Sequence, residues 1–213
     1  MRDVGAIISD FGGVLTSPLL GSFEAFQQST GISLEQLGRA MAVVAQSRGA
    51  NPLFDLETGR LGEPEFLSLI AAALSEDLGR EVALTGFGES YFANLEPNPQ
   101  MIGYMRELRE RGYRLAICTN NVREWGPLWR AMLPVDEIFD VVVDSAFVGT
   151  RKPEPRIYEL TLARLEVDAG AAVFIDDVEI NCAAARELGM RAVWFQSSEQ
   201  AITETEAMLQ EAG

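Results

Sequence analysis

Short, wholly apolar runs separate longer amphipathic stretches along this chain. Ala6-Ile7-Ile8-Ser9 is one such run and ends at Asp10; with no polar position inside it, it predicts a strand buried on both faces. From about Ser22 to Asn94 the apolar positions recur at helical spacing, and no segment reads as a strand. Within it, Ser33-Leu34-Glu35-Gln36 predicts a capping box. Glu63-Pro64-Glu65-Phe66 places a proline in a first helical turn, ahead of the apolar run Phe66-Leu67-Ser68-Leu69-Ile70-Ala71. Leu95-Glu96-Pro97-Asn98-Pro99 predicts a linker.

Beyond the linker, helices and strands alternate. Asn98 and Pro99 open a helix that Gly112 ends, and Leu115–Cys118 is a strand ending at Thr119. A helix over Val122–Met132 precedes a strand over Ile138–Val143 that ends at Asp144. A helix over Pro155–Arg164 precedes a strand over Ala172–Ile175 that ends at Asp176. A further helix runs to Leu188 with Gly189 as its C-cap, and the last strand is Arg191–Phe195. This alternation predicts an α/β fold with a parallel sheet covered on both faces. The first strand belongs with that second half, so a helical insert interrupts the α/β core after its first strand.

Composition narrows the chemistry. The chain has 213 residues, 47% of them hydrophobic and 23% charged, which is the composition of a folded globular protein. Lysine and arginine number 17 against 32 acids, a net charge of −15, which argues against nucleic acid and anionic membrane as partners. There is no histidine, so histidine general bases, Ser-His-Asp and Cys-His catalysis and histidine-held metals are all excluded. Two cysteines, Cys118 and Cys182, make neither a disulfide framework nor a zinc site. The opening Met1-Arg2-Asp3-Val4-Gly5 has an acid where a signal peptide is basic, and no apolar run approaches the roughly 20 residues of a membrane span. A reducing cytoplasm is the expected location.

What remains is carboxylate, lysine and hydroxyl chemistry, and it gathers at strand ends. Four apolar strands terminate in Asp10, in Thr119-Asn120-Asn121, in Asp144 and in Asp176-Asp177. In open parallel sheets, ligands bind beyond the carboxyl ends of the strands. Asp and Asn at such places are also favoured helix N-caps, and for Asp144 alone that reading is preferred. Asp10 and Asp177 come from distant parts of the chain and would meet at one crevice. Carboxylates meeting without histidine favour a hard cation such as magnesium, which takes one or two carboxylates, waters and a substrate phosphate. Lys152, in the loop Gly149-Thr150-Arg151-Lys152-Pro153, would complete a phosphate site. Thr119, with the amides of Asn120 and Asn121, could hold phosphate oxygens, and one carboxylate could act as nucleophile.

Other features carry less. Gly86-Phe87-Gly88 lacks the preceding strand and third glycine of a dinucleotide loop. Trp125 and Trp129, four apart, favour packing over a ligand cage, and Cys118 and Cys182 favour the core. Arg123 and Arg151 lie near the crevice, with substrate contact and a solvated surface role both open.

Four segments together resemble the motifs of the haloacid dehalogenase-like hydrolases: Ser9-Asp10-Phe11-Gly12-Gly13-Val14-Leu15, Ile117-Cys118-Thr119-Asn120-Asn121, Val148-Gly149-Thr150-Arg151-Lys152-Pro153-Glu154 and Phe174-Ile175-Asp176-Asp177-Val178-Glu179-Ile180-Asn181. The helical insert resembles the cap of the subgroup that includes the phosphatase domain of soluble epoxide hydrolase. The resemblance implies a Rossmann-like core over residues 1–15 and 96–213 and an all-helical cap over 16–95. It implies a magnesium-dependent phosphatase of a small phosphorylated metabolite, working through an aspartyl phosphate. Asp10 would be the nucleophile, Thr119 would bind the transferring phosphoryl group, and Lys152 would hold nucleophile and phosphate together. Gly12, Gly13, Asn120 and Asn121 would line the phosphate. Magnesium would be held by Asp10, the Gly12 carbonyl and Asp177, with Asp176 acting directly or through water and Asn181 supporting that shell.

One position departs from the pattern. The family's phosphatases usually carry, two residues after the nucleophile, an Asp that serves as general acid and base; here that residue is Gly12. General acid catalysis is typically worth about 10²–10⁴-fold. A dehalogenase of the same fold and a non-catalytic phosphate-ligand binder therefore stand as alternatives. The sequence does not decide between monomer and homodimer.

Overall fold

The structure, a computed structural model, describes residues 3–18 and 20–210. Met1 and Arg2, part of the N-terminal segment assessed above for targeting, lie outside the described residues, as do Leu19 and 211–213. Five strands, β1 (Ala6–Ser9), β2 (Arg114–Thr119), β3 (Val141–Asp144), β4 (Ala172–Asp176) and β5 (Arg191–Trp194), form one sheet in the order β3-β2-β1-β4-β5. Every pairing is parallel. From β1 the chain builds outward through β2 and β3 on one side, then crosses to β4 and β5 on the other. Connections therefore diverge between β1 and β4, the kind of switch point at which open α/β sheets bind ligands.

Five helices occupy the insert: α1 (Leu20–Thr30), α2 (Leu34–Arg48), α3 (Pro52–Glu57), α4 (Glu63–Leu78) and α5 (Phe87–Ala93). The core carries α6 (Pro99–Glu110), α7 (Gly126–Arg130), α8 (Val135–Ile138), α9 (Ser145–Val148), α10 (Pro155–Leu165), α11 (Glu179–Glu187) and α12 (Ser198–Gln210). Alternation along the buried strands splits their side chains between two faces. Ile7, Leu115, Ile117, Val173 and Ile175 meet Met101, Met105 and Leu108 of α6 and Ala201 and Leu209 of α12. Ala6, Ile8, Cys118 and Phe174 meet Ile157, Tyr158 and Leu165 of α10 and Cys182 and Ala185 of α11. Both cysteines thus belong to the core.

The insert has an apolar centre of its own, built from Phe26, Ile32, Val44, Ile70 and Leu74. The capping box opens α2: the Ser33 hydroxyl accepts from the Gln36 N–H at 3.2 Å, and the Gln36 side chain accepts from the Ser33 N–H at 2.7 Å. The chain enters and leaves the insert side by side. Thr16 bridges Pro97 antiparallel. The Ser17 N–H donates to the Glu96 carbonyl at 2.7 Å, and the Asn98 N–H to the Leu15 carbonyl at 2.8 Å.

Three elements differ from the sequence reading. The helix expected over Val122–Met132 is a 3₁₀ turn, Arg123–Trp125, followed by the short α7, because Gly126-Pro127 restarts the helix where proline has no N–H to give. The strand expected from Ile138 begins at Val141. Val135–Ile138 is α8, and Asp140 joins the edge of the sheet by accepting from the Leu115 N–H at 2.8 Å. The sequence reading stopped at Phe195, whereas α12 follows, with Ala201, Thr205 and Leu209 buried at a four-residue spacing. Among the described residues no helix is long and apolar enough to cross a membrane.

Candidate active site

Adjacent parallel strands bring their carboxyl ends together, and this places the candidate residues. Asp10 follows β1 and is fixed to β4 by its N–H, which donates to the Ile175 carbonyl at 2.8 Å. Thr119 ends β2 and is buried; Asp176 ends β4 with its side chain fully enclosed. Carboxylate oxygens of Asp10, Asp176 and Asp177 all lie within 4.8 Å of one another.

Lys152 reaches this cluster from the loop after α9. Its ammonium, 1% exposed, lies 2.7 Å from Asp10 Oδ1 and 2.7 Å from Asp176 Oδ2. Asp10 Oδ1 also accepts the Phe11 N–H at 2.7 Å. The Lys152 main chain is clamped by Asn120, whose Oδ1 accepts the Lys152 N–H at 2.8 Å and whose Nδ2 donates to the Lys152 carbonyl at 3.0 Å. Both oxygens of Asp176 are in use: Oδ1 accepts from the Val178 N–H at 2.8 Å, and Asn181 Nδ2 donates to Oδ1 and Oδ2 at 3.0 and 3.1 Å. Asn181 therefore steadies Asp176 rather than Asp177.

Three carboxylates share one lysine in a buried space, and their electrostatics show it. Burial, reinforced by Asp176 and Asp177, pushes Asp10 up to about 7 against the pull of Lys152. Burial and then Asp176 push Asp177 up to about 6. Burial works against the Lys152 charge, but Asp10 and Asp176 outweigh it and hold the ammonium above its ordinary range. Unneutralised negative charge on clustered carboxylate oxygens is the chemistry that a hard divalent cation satisfies. Gly13 shapes the same place. Its φ is +76°, and a Cβ there would fall 2.2 Å from Asp177 Oδ2, so the backbone approach to that carboxylate requires glycine on both counts.

The remaining candidates divide. Asn121 is not available as proposed: its N–H donates to Ser145 Oγ at 3.0 Å, and its side chain accepts the Val122 N–H at 2.9 Å. The Asn120 side chain serves Lys152, which does not bear on its backbone N–H, the group expected at the phosphate. Asp144 stays out of the cluster; it caps α9 through the Ala146 N–H at 3.0 Å, and burial pushes it up to about 6. Trp129 is buried against Phe11 at 5.0 Å between ring centroids. Trp125 instead stacks on Tyr91 at 5.2 Å, and its indole N–H donates to Glu63 at 2.8 Å. Gly86-Phe87-Gly88 begins α5, with Phe87 part of this aromatic group, 6.0 Å from Trp125. Arg123 donates to the Ala146 carbonyl at 2.8 Å.

Arg151 is engaged with the insert. Its Nε pairs with Glu57 of α3, and its guanidinium lies 4.0 Å over the Phe54 ring. Burial, with smaller contributions from the charges of Asp10, Asp177 and Glu57, raises the Tyr91 phenol of α5 above its ordinary value. Sequence reasoning missed Glu57, Tyr91 and the Asn120 clamp. Only Asn120 carried a local signal, as a polar residue directly after a buried strand.

The haloacid dehalogenase-like hydrolase family matches residues 4–189. A phosphatase of Mycobacterium tuberculosis is 30% identical over 92% of this chain and 89% of its own length. A glyceraldehyde 3-phosphate phosphatase of Pyrococcus abyssi is 37% identical over 49% of this chain and 44% of its own. The bifunctional epoxide hydrolase 2 of Mus musculus is 24% identical over 92% of this chain and 37% of its own. The chain spans 19%, 44% and 60% of the length of the first three curated relatives it matches, less than two thirds in each case. Among solved structures, the Bacteroides thetaiotaomicron enzyme bt-2542, in complex with magnesium and inorganic phosphate, has the same fold with a TM-score of 0.68 at 22% identity. The match covers 89% of this chain and 93% of that one.

Proposed function

We infer the reaction from family and site together: the chain belongs to the haloacid dehalogenase-like hydrolases, and its strand-end cluster supports a magnesium-dependent phosphatase that works through an aspartyl phosphate. The observation that carries this is the Lys152 ammonium held 2.7 Å from both Asp10 and Asp176. Relatives named as phosphatases support the same reading.

In the reaction, the Asp10 carboxylate attacks phosphorus and forms an acyl phosphate as the bond to the leaving oxygen breaks. Lys152 draws the nucleophile and the phosphoryl oxygens together, and the Thr119 hydroxyl donates to one of those oxygens. Water then attacks the phosphoryl group, releasing inorganic phosphate and restoring Asp10. Asp10, Asp177 and the Gly12 carbonyl would hold magnesium, which supplies positive charge to the transferring phosphoryl group. Asp176, with both oxygens engaged, orients Lys152 and would support the metal shell. Gly12 offers the leaving oxygen no proton. The lid of this site is the helical insert over 16–95, joined to the core at the paired segments Thr16-Ser17 and Glu96-Pro97.

The test is phosphate release from a panel of monophosphates, with magnesium and with excess chelator. Metal-dependent release abolished by Asp10→Asn is expected; undiminished release in chelator overturns the assignment. Gly12 favours one second reading, a phosphate-ligand binder without fast turnover. Calorimetric binding of inorganic phosphate with no turnover of even activated acyl phosphates selects it, and halide release from 2-haloacids selects a dehalogenase.

A further inference from the structure

A cavity of about 380 Å³ lies between the insert and the core. Its walls come from α2, α3, α4 and α5 and from the segment after β2, with Met41, Leu56, Phe66, Ile70, Phe87 and Trp125 among the apolar groups. It adjoins the candidate active site at Asn120, which lines it and grips the Lys152 main chain. Cavities of roughly 300–1,000 Å³ with mainly apolar walls are typical of small-molecule sites.

The polar side chains on these walls are few, Glu57, Glu63, Tyr91, Asn120 and Asn121, and each already has a partner within the protein. Among the described residues that line the cavity there is no lysine or arginine. Glu57 pairs with Arg151, Glu63 accepts from Trp125, Asn120 serves Lys152, and Asn121 accepts from Val122. A polyol placed here would lose its hydrogen bonds to water with little return, which makes its burial costly. An alkyl or aromatic group gains from the same burial.

Gly38, in the middle of α2, lines the cavity at its solvent-exposed rim.

We propose that the cavity receives the leaving group of the substrate, and that this group is apolar: an alkyl chain or aromatic system carrying a single phosphate. At roughly 30 Å³ for a water-sized group, the volume accepts on the order of a dozen such groups, or a chain of about eight to twelve non-hydrogen atoms. This rests on the phosphatase reading for turnover, but not for binding.

Two measurements on the full chain with magnesium separate the two. The first is calorimetric affinity for straight-chain alkylphosphonates from methyl to decyl, which cannot be hydrolysed. The second is phosphate release from the matching alkyl phosphates, glycerol phosphate and acetyl phosphate. Affinity should rise about two- to fourfold per methylene until the cavity is full, the upper figure being complete burial of each CH₂. The kcat/KM of the alkyl phosphates should rise with it, and octyl phosphate should exceed glycerol phosphate by more than tenfold. Met41→Trp, which adds bulk to a half-buried wall position, should stop the rise at a shorter chain while leaving acetyl phosphate turnover unchanged; Met41→Leu should leave the series as it is. Flat affinity across the phosphonates, with acetyl phosphate still hydrolysed, overturns the apolar leaving group and leaves the phosphatase standing. Rising affinity with no phosphate released from any compound supports the cavity and overturns the phosphatase.

Discussion

Removing Lys152 and removing Asp10 should have opposite effects on the stability of the metal-free protein. Lys152 is the cation that the structure places between Asp10 and Asp176, at 2.7 Å from each, with 1% of its side chain exposed. Lys152→Met keeps the length of the side chain but leaves two buried carboxylates facing each other beside Asp177. Breaking a buried ion pair by removing one partner typically costs about 3–5 kcal/mol. For a chain of this size, each 1 kcal/mol lowers Tm by roughly 2–4 °C, so a fall of about 6–20 °C is expected. Asp10→Asn removes one of three crowded negative charges while keeping an oxygen for Lys152 and the Phe11 N–H. Burial outweighs Lys152 at Asp10 and pushes it up to about 7, so the charge removed is a net burden. At pH 8 in chelator this variant should melt at or above the parent. Because the folded-state value is raised from the ordinary 3.8 to about 7, that burden grows as pH rises between those two values, is complete above about 7 and is absent below about 3.8. The advantage of Asp10→Asn should therefore shrink at pH 5. Thermal melts followed by circular dichroism, with the double variant to close the cycle, measure all of this. A Lys152→Met protein melting within about 1 °C of the parent, or an Asp10→Asn protein falling as far as Lys152→Met, would refute the charge accounting.

Four further outcomes are expected. Magnesium should raise the Tm of the parent at pH 8 and do so far less for Asp177→Asn; an equal rise in both would remove Asp177 from the metal site. Gly13→Ala should weaken magnesium binding by about 10–100-fold in calorimetry, the usual loss when a metal's supporting shell is disturbed, because the new Cβ would land 2.2 Å from Asp177 Oδ2; unchanged affinity would show that the close approach is not needed. With no acid at Gly12, phosphate release at saturating substrate should depend steeply on leaving-group pKa, acyl and aryl phosphates outrunning alkyl ones of equal bulk; a flat profile with chemistry rate-limiting would reveal another proton donor. Hydrogen exchange with octylphosphonate and magnesium bound should slow at both the Ser17 and the Asn98 amides, which donate across the junction; protection on one side of the junction alone would contradict a lid closing on the core.

The legible parts of the fold were those with a local cause. β1 and β4 are written as unbroken apolar runs because both of their faces are covered, and each run ends abruptly at an aspartate. The α2 capping box is equally local and occurs as read. The helix expected over Val122–Met132 failed because an apolar stretch cannot show by periodicity where a Gly-Pro pair will restart it. α12 was missed for the opposite reason: with three acids and three threonines or serines in thirteen residues, its buried stripe of Ala201, Thr205 and Leu209 is thin.

Strand ends fixed which carboxylates would meet, but not how they would be held. That Asp10, Lys152 and Asp176 converge follows from four segments lying at neighbouring positions of one sheet. The division of labour among Asn120, Asn121, Asp144 and Asn181 does not, because any polar residue after a strand can cap a helix, clamp a loop or face a ligand, and single-sequence reasoning weighs these alike. The cavity is harder still. Met41, Phe66, Phe87 and Trp125 are each ordinary apolar residues on their own elements, and nothing local distinguishes a side chain that fills a core from one that lines a space. The difference is a matter of volume between elements. Reactive groups announce themselves by type and position, whereas a cavity between two units appears only once the insert is folded against the core.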